Sequence, residues 1–135
     1  NEEYNFADGQ VTRSWGTATP KQIEDINATD ENGVELDPVV VIKGLKTEKK
    51  RIVKRQASGL LEKTDWHNHK ALDDETYTIP DNIKTYRANV RAKSNEMETQ
   101  IDACTNVDEL KALYEYTTQE DGTQTRPLAE FPEEI

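Results

Sequence analysis

A disulfide within this chain is impossible, because Cys104 is the only cysteine among its 135 residues. That suits a reducing compartment, or a protein indifferent to redox. Large apolar side chains are scarce as well. Hydrophobic residues make up 33% of the chain, aromatics 7%, and the mean hydropathy is −0.94. A chain this polar cannot bury a large core over its whole length, so a small core with weakly self-sufficient ends is expected. The longest continuous apolar run is Val39-Val40-Val41-Ile42. It falls far short of the roughly 20 residues needed to cross a bilayer, and no stretch reads as a secretory leader. Also missing are a phosphate-binding glycine loop, a nucleophile elbow, a triad order and a pair of catalytic carboxylates, so neither an enzyme nor a cofactor is expected.

Charge is abundant but unevenly spread. The net charge is −10, yet residues 43–63 hold 8 bases and 2 acids. Residues 1–42 hold 9 acids and 2 bases, residues 64–116 hold 11 and 6, and residues 117–135 hold 5 and 1. One basic segment therefore lies within an acidic chain. Its sharp reading is a nucleic-acid face, and a small regulatory module binding through helix 46–63 is the alternative function. The plainer reading is a solvated face partly neutralised by the acidic segments. It is preferred, because a free nucleic-acid binder seldom surrounds its basic patch with carboxylates.

Hydrophobic spacing predicts a mainly α fold: a small antiparallel helical hairpin plus a short third helix, with an extended N-terminal arm and an extended C-terminal tail. Ile52, Val53, Ala57, Leu60 and Leu61 recur at helical spacing between about Lys46 and Lys63. Gly59 inside that helix suggests close approach by a neighbour. Ile83, Tyr86, Val90, Met97 and Ile101 mark the longest helix, about 81–103, with Ser94 in the seam and Pro80 at its start. Asn106 and Glu109 form a capping signal before a short helix with Val107, Leu110, Leu113 and Tyr114 on its apolar face. Cys104, at the end of the long helix, reads as a small buried hydrophobe.

Between the first two helices, residues 64–80 read as a loop. The N-terminal 1–45 read as an arm containing one or two short strands. Residues 10–15 and Val39 to Ile42 are the strand candidates, able to pair with each other or with another protein. Thr19-Pro20 reads as a helix start running through Ile23 and Ile26, and Asp30 to Gly33 as a turn. Gly122 and Pro127 break order, leaving 117–135 as a tail. The organisation expected is thus an arm at 1–45, a helical domain at 46–116 and a tail at 117–135.

Few residues invite chemistry. His67 and His69, alternating in an extended loop, would face one way, and Asp65 and Asp73 could complete a metal site. A polar surface loop is the preferred reading, and no metal is expected. Arg51, Arg55, Arg87 and Arg91 could face an anion, but arginines one turn apart beside acids more often form ion pairs, here with Glu62, Asp81, Glu96 or Glu98. Asn27-Ala28-Thr29 matches a glycosylation acceptor but means little without a secretory leader. Trp66 is expected to cap the seam between the first two helices, where its loss would cost about 3–5 kcal/mol. The candidate partner contacts are Val39, Val40, Val41 and Ile42 as a strand donor, and Trp15 and Phe131 as aromatic anchors.

Arg51 to Arg55, Leu60-Leu61-Glu62-Lys63-Thr64-Asp65-Trp66 and Tyr86-Arg87-Ala88-Asn89-Val90-Arg91 occur in that order. Together with Ile-Pro-Asp-Asn-Ile before the second helix, this pattern resembles a family of small tailed-bacteriophage proteins: tail-fibre-associated proteins and tail assembly chaperones. The resemblance covers residues 48–114. It implies a non-enzymatic structural component or assembly factor of the tail-fibre and baseplate region. The partners would be other tail proteins, fibre or baseplate subunits, in multiple copies within a symmetric assembly, with neither membrane nor nucleic acid among them. The location implied is the virion tail, or the host cytoplasm during assembly. His67-Asn68-His69-Lys70 departs from the family pattern.

Overall fold

The computed structural model describes residues 2–7, 9–15 and 21–135. Mainly helical, it carries a few short strands, as the periodicity predicts. Helix α1 spans Leu45–Glu62, α2 Asp65–Asp73, α3 Asp81–Ala103 and α4 Val107–Ala112. No helix among the described residues is long and apolar enough to cross a membrane.

Helices α1 and α3 form the antiparallel pair. Lys50 meets Asp102 at 2.7 Å, Lys54 meets Glu98 at 3.2 Å, and Arg87 donates to the Leu61 carbonyl at 2.8 Å. Partners therefore advance along the two helices in opposite directions. Between them Val53 and Ala57 bury against Val90, Met97 and Ile101, with Tyr86 and Ser94 on the same stripe of α3. The 3–4 spacing of these residues puts them on one face, and burial of that face is what holds two otherwise polar helices together.

The capping signal before α4 is realised. Asn106 Oδ1 accepts from the Glu109 amide at 2.9 Å, while the Glu109 carboxylate accepts from the Thr105 amide at 2.7 Å. Those bonds hold the Glu109 carboxyl below its ordinary range. Leu110 then seats in the core beside Cys104. Burial raises the pKa of the Cys104 thiol, so it behaves as the small hydrophobe expected and not as a thiolate.

Several expectations are corrected. Residues 64–80 are not a single loop, since Asp65 to Asp73 form α2 and only the stretch beyond is irregular. The C-terminal segment is extended but docked. After the β5–β6 hairpin (Thr117–Thr118 with Gln124–Thr125, turned by Gly122 at φ 83), the chain returns to the core. There Leu128 is buried and its amide donates to the Leu113 carbonyl at 3.0 Å. The Gln100 side chain clamps this strand on both sides, donating to the Pro127 carbonyl and accepting from the Ala129 amide. Gly59 makes no close approach, for a Cβ placed there would meet nothing within 4 Å.

The strand pairings differ too. Strand β1 (Glu2–Ala7) pairs with β2 (Gln10–Trp15) as a hairpin, and β3 (Ile26–Asn27) pairs with β4 (Val41–Ile42). Residues 10–15 therefore do not pair with Val39 to Ile42. Ile26 is in a strand and Ile23 in a bend, not in a helix. The proposed helix start at Thr19-Pro20 lies outside the described residues.

A candidate interaction surface

Residues 26–42 form a ribbon whose turn is the one expected. Asp30 Oδ1 accepts from the amides of Asn32 and Val34, and Gly33 takes φ 80, a conformation that favours glycine. Further bonds link the Ala28 amide to the Val40 carbonyl at 2.7 Å and the Leu36 amide to the Ala28 carbonyl at 3.1 Å. The ribbon's apolar side chains are not covered. Val39 is 58% exposed, Val40 49%, Val41 43% and Ile42 51%, and Ile26, Val34 and Leu36 are exposed as well. Successive residues of extended chain point to opposite sides. Exposure of four in a row therefore means that both faces are open to solvent.

The base of the ribbon is held firmly. Asp25 accepts from the Gly44 amide at 2.7 Å and from Lys43 at 3.1 Å. The bond from Gly44 is the largest cause of an Asp25 pKa lowered to about 2, and Thr47 adds to it. The amides of Leu45 and Lys46 donate to Gln22 and Ile23 carbonyls, and Lys46 Nζ meets Glu24 at 2.5 Å. A Cβ at Gly44 would stand 2.6 Å from the Ile23 carbonyl oxygen and closer still to that of Glu24. Only glycine lets the two segments come so near. No local sequence pattern marks this clamp, because its partners lie about 20 positions apart.

At the corner between α1 and α3, Trp66 is not the buried cap expected. It is 53% exposed and stacks on the His67 ring at 3.7 Å, with Tyr77 tilted against it at 6.3 Å. Arg87 takes the capping role instead. Almost fully buried, it donates to the Leu61 carbonyl and to Thr64 Oγ1 at 2.7 Å, and pairs with Asp65 at 2.8 Å. One guanidinium thus ends α1, orders Thr64 and anchors the start of α2.

The candidate metal ligands are dispersed. Residues two apart on a helix point to nearly opposite sides. His67 is buried with Nδ1 2.5 Å from the Tyr77 hydroxyl, His69 is exposed, and Asp65 is taken by Arg87. Among the described residues no three His, Cys, Asp or Glu side chains could hold a metal ion.

The other arginines are partnered differently from the expectation. Arg51 pairs with Glu48 within its own helix, while Glu98 goes to Lys54, Glu96 to Lys93 and Asp81 to Lys84. Arg91 reaches only the Arg87 carbonyl, at 3.4 Å. Lys46, Lys50, Arg51 and Lys54 of α1 all face carboxylates, and Lys49 lies over the Tyr114 ring.

The expected anchors fare unevenly. Phe131 is partly buried and packs against both core clusters, so it serves its own fold. With Pro132 it walls an open groove of about 590 Å³ beside Gln56, Gly59, Leu60 and Lys63. The side chain of Trp15 lies outside the described residues. Leu60 and Leu61 are partly buried against Ala57, Tyr86 and Val90. The ribbon therefore carries the longest run of exposed apolar residues among the described ones, while Trp66, Leu72, Ile52 and Tyr116 are exposed singly elsewhere.

No family model, no curated protein and no solved structure matches the chain.

Proposed function

We propose that the chain is a non-enzymatic bacteriophage tail protein, a structural component or assembly factor of the tail-fibre and baseplate region, acting through protein–protein contacts. The observation that carries the contact function is the ribbon: four successive apolar residues bare on both faces, on a base fixed by Asp25 and Gly44. An apolar strip of this kind, rimmed by polar residues, favours association with another protein. The tail setting rests on the resemblance over residues 48–114. Its elements have a coherent role here, since Leu60, Leu61, Tyr86 and Arg87 build the helical corner. Charge pairing along α1 favours this reading over nucleic-acid binding, because the phosphates would have to displace carboxylates already in place.

Mass spectrometry of purified particles distinguishes a virion component, which stays on the tail, from a chaperone, which is absent. Deleting the coding sequence from the genome that carries it should yield particles with defective fibres or baseplates. Particles with complete, infectious tails would reject both forms of the proposal.

A further inference from the structure

The ribbon's partner can be described from its charge. Residues 21–42 hold six acids, Glu24, Asp25, Asp30, Glu31, Glu35 and Asp37, and one base, Lys21. Glu24 and Asp25 are turned to the base of the ribbon, where Lys46 and Lys43 neutralise them. The other four meet no cation in an ion pair among the described residues. Asp30 is bonded by turn amides and Glu35 by the Asn27 amide group, while Glu31 and Asp37 pair with no cation among the described residues. The exposed valines therefore stand with four carboxylates that no cation of the described residues neutralises. Among the described residues β4 has a single neighbour, β3, so its other edge is open.

From these features we infer that the open edge of β4 takes an extended segment of another protein in which apolar residues alternate with lysine or arginine. An added strand would pair with the open edge and lay alternate apolar side chains against Val39, Val41 or Val40, Ile42. Its cations would then lie beside Glu31, Glu35 and Asp37. The same carboxylates oppose a second copy of this ribbon, since like charges set against one another are destabilising. This inference rests on the reading of the chain as a protein-contact module and supplies the chemistry of the partner.

The test uses the full chain, isotopically labelled for NMR, and two synthetic peptides of equal length, one alternating valine with lysine and one alternating valine with glutamate. The valine–lysine peptide should shift the amides of residues 26–42 and leave those of α1 and α3 in place. Its affinity should fall several-fold as salt rises from about 0.05 to about 0.5 M, where the screening length drops below about 5 Å. The valine–glutamate peptide should not bind, and the double variant Glu31→Lys with Asp37→Lys should abolish the preference for the lysine peptide. Both positions are exposed, so the fold is retained, and unchanged helical amide shifts would verify it.

Binding of neither peptide, equal binding of both, or shifts confined to the Phe131 groove would overturn the inference. So would ribbon shifts that grow with protein concentration in the absence of peptide, because the occupant would then be a second copy. Each of these failures is separable from the tail proposal, which stands or falls on the particles made after deletion.

Discussion

At the scale of single residues, Arg87 and Trp66 exchange the importance their side chains suggest. A tryptophan at a helix corner would ordinarily be the anchor. Here its ring leans outward on His67, while the guanidinium of Arg87 is buried among Leu61, Thr64 and Asp65. Arg87→Met should therefore destabilise the fold by about 2–4 kcal/mol, because it removes the buried donor to Thr64 Oγ1 and the cation paired with Asp65. Trp66→Ala should cost only about 1–2 kcal/mol, since half of the ring is already in water. Chemical denaturation of the two variants checks the order, and a larger loss for Trp66→Ala would contradict it. The sequence could not settle this exchange, because Tyr-Arg-x-x-x-Arg places both arginines on one face without saying which is buried.

Asp25 adds a pH signature at the same scale. Its pKa in the fold, about 2, lies below the ordinary carboxylate value because the Gly44 amide and neighbouring donors favour the ionised form. The folded state thus binds its proton less readily than the unfolded chain. The clamp's contribution is complete above about pH 4 and is lost as pH falls towards 2. The Gly44 amide resonance should report this titration, and Asp25→Asn should abolish it.

Two glycines separate the behaviour of the elements. Gly59 faces open space inside α1, so Gly59→Ala should stabilise the helix by about 0.5–1 kcal/mol. Gly44 stands against the Ile23 and Glu24 backbone, so Gly44→Ala should release the ribbon base while the helices persist. Amide exchange would show faster exchange over residues 21–44 and unchanged protection in α3, and thermal melts would rank the two variants. The α1–α3 seam was readable in advance because burial on one face imposes its period on the residues, from Ile83 to Ile101. Helix α2 was not, since its nine residues show no such stripe and its order depends on Arg87 and Tyr77 arriving from elsewhere. The β3–β4 pairing and the docking of Leu128 are likewise non-local. A lone Leu between Pro127 and Ala129 in a polar tail was the available hint of that docking. Of the candidate site, the run Val39 to Ile42 was legible as extended chain, though only Val41–Ile42 pair as a strand, and its exposure on both faces depends on where the rest of the chain packs.

On the scale of the whole molecule, burial and charge are divided between two regions. The helical pair supplies most of the buried hydrophobic residues and pairs much of the basic helix with acids, which satisfies its own surface. The ribbon does the reverse, baring its valines beside carboxylates that meet no cation among the described residues, while its base is clamped to α1. A compact unit presenting an unsatisfied strip suits a protein whose work is contact. The proposal joins that contact to tail assembly, so both should fail together when the strip is spoiled. The direct measurement is complementation of a deletion in the genome that carries the gene, with particles scored by electron microscopy and infectivity. Wild-type chain should restore complete tails, and a Val39→Glu, Val41→Glu variant with an unchanged circular dichroism spectrum should not. Complete tails in the uncomplemented deletion, or full rescue by the double-glutamate variant, would contradict the account.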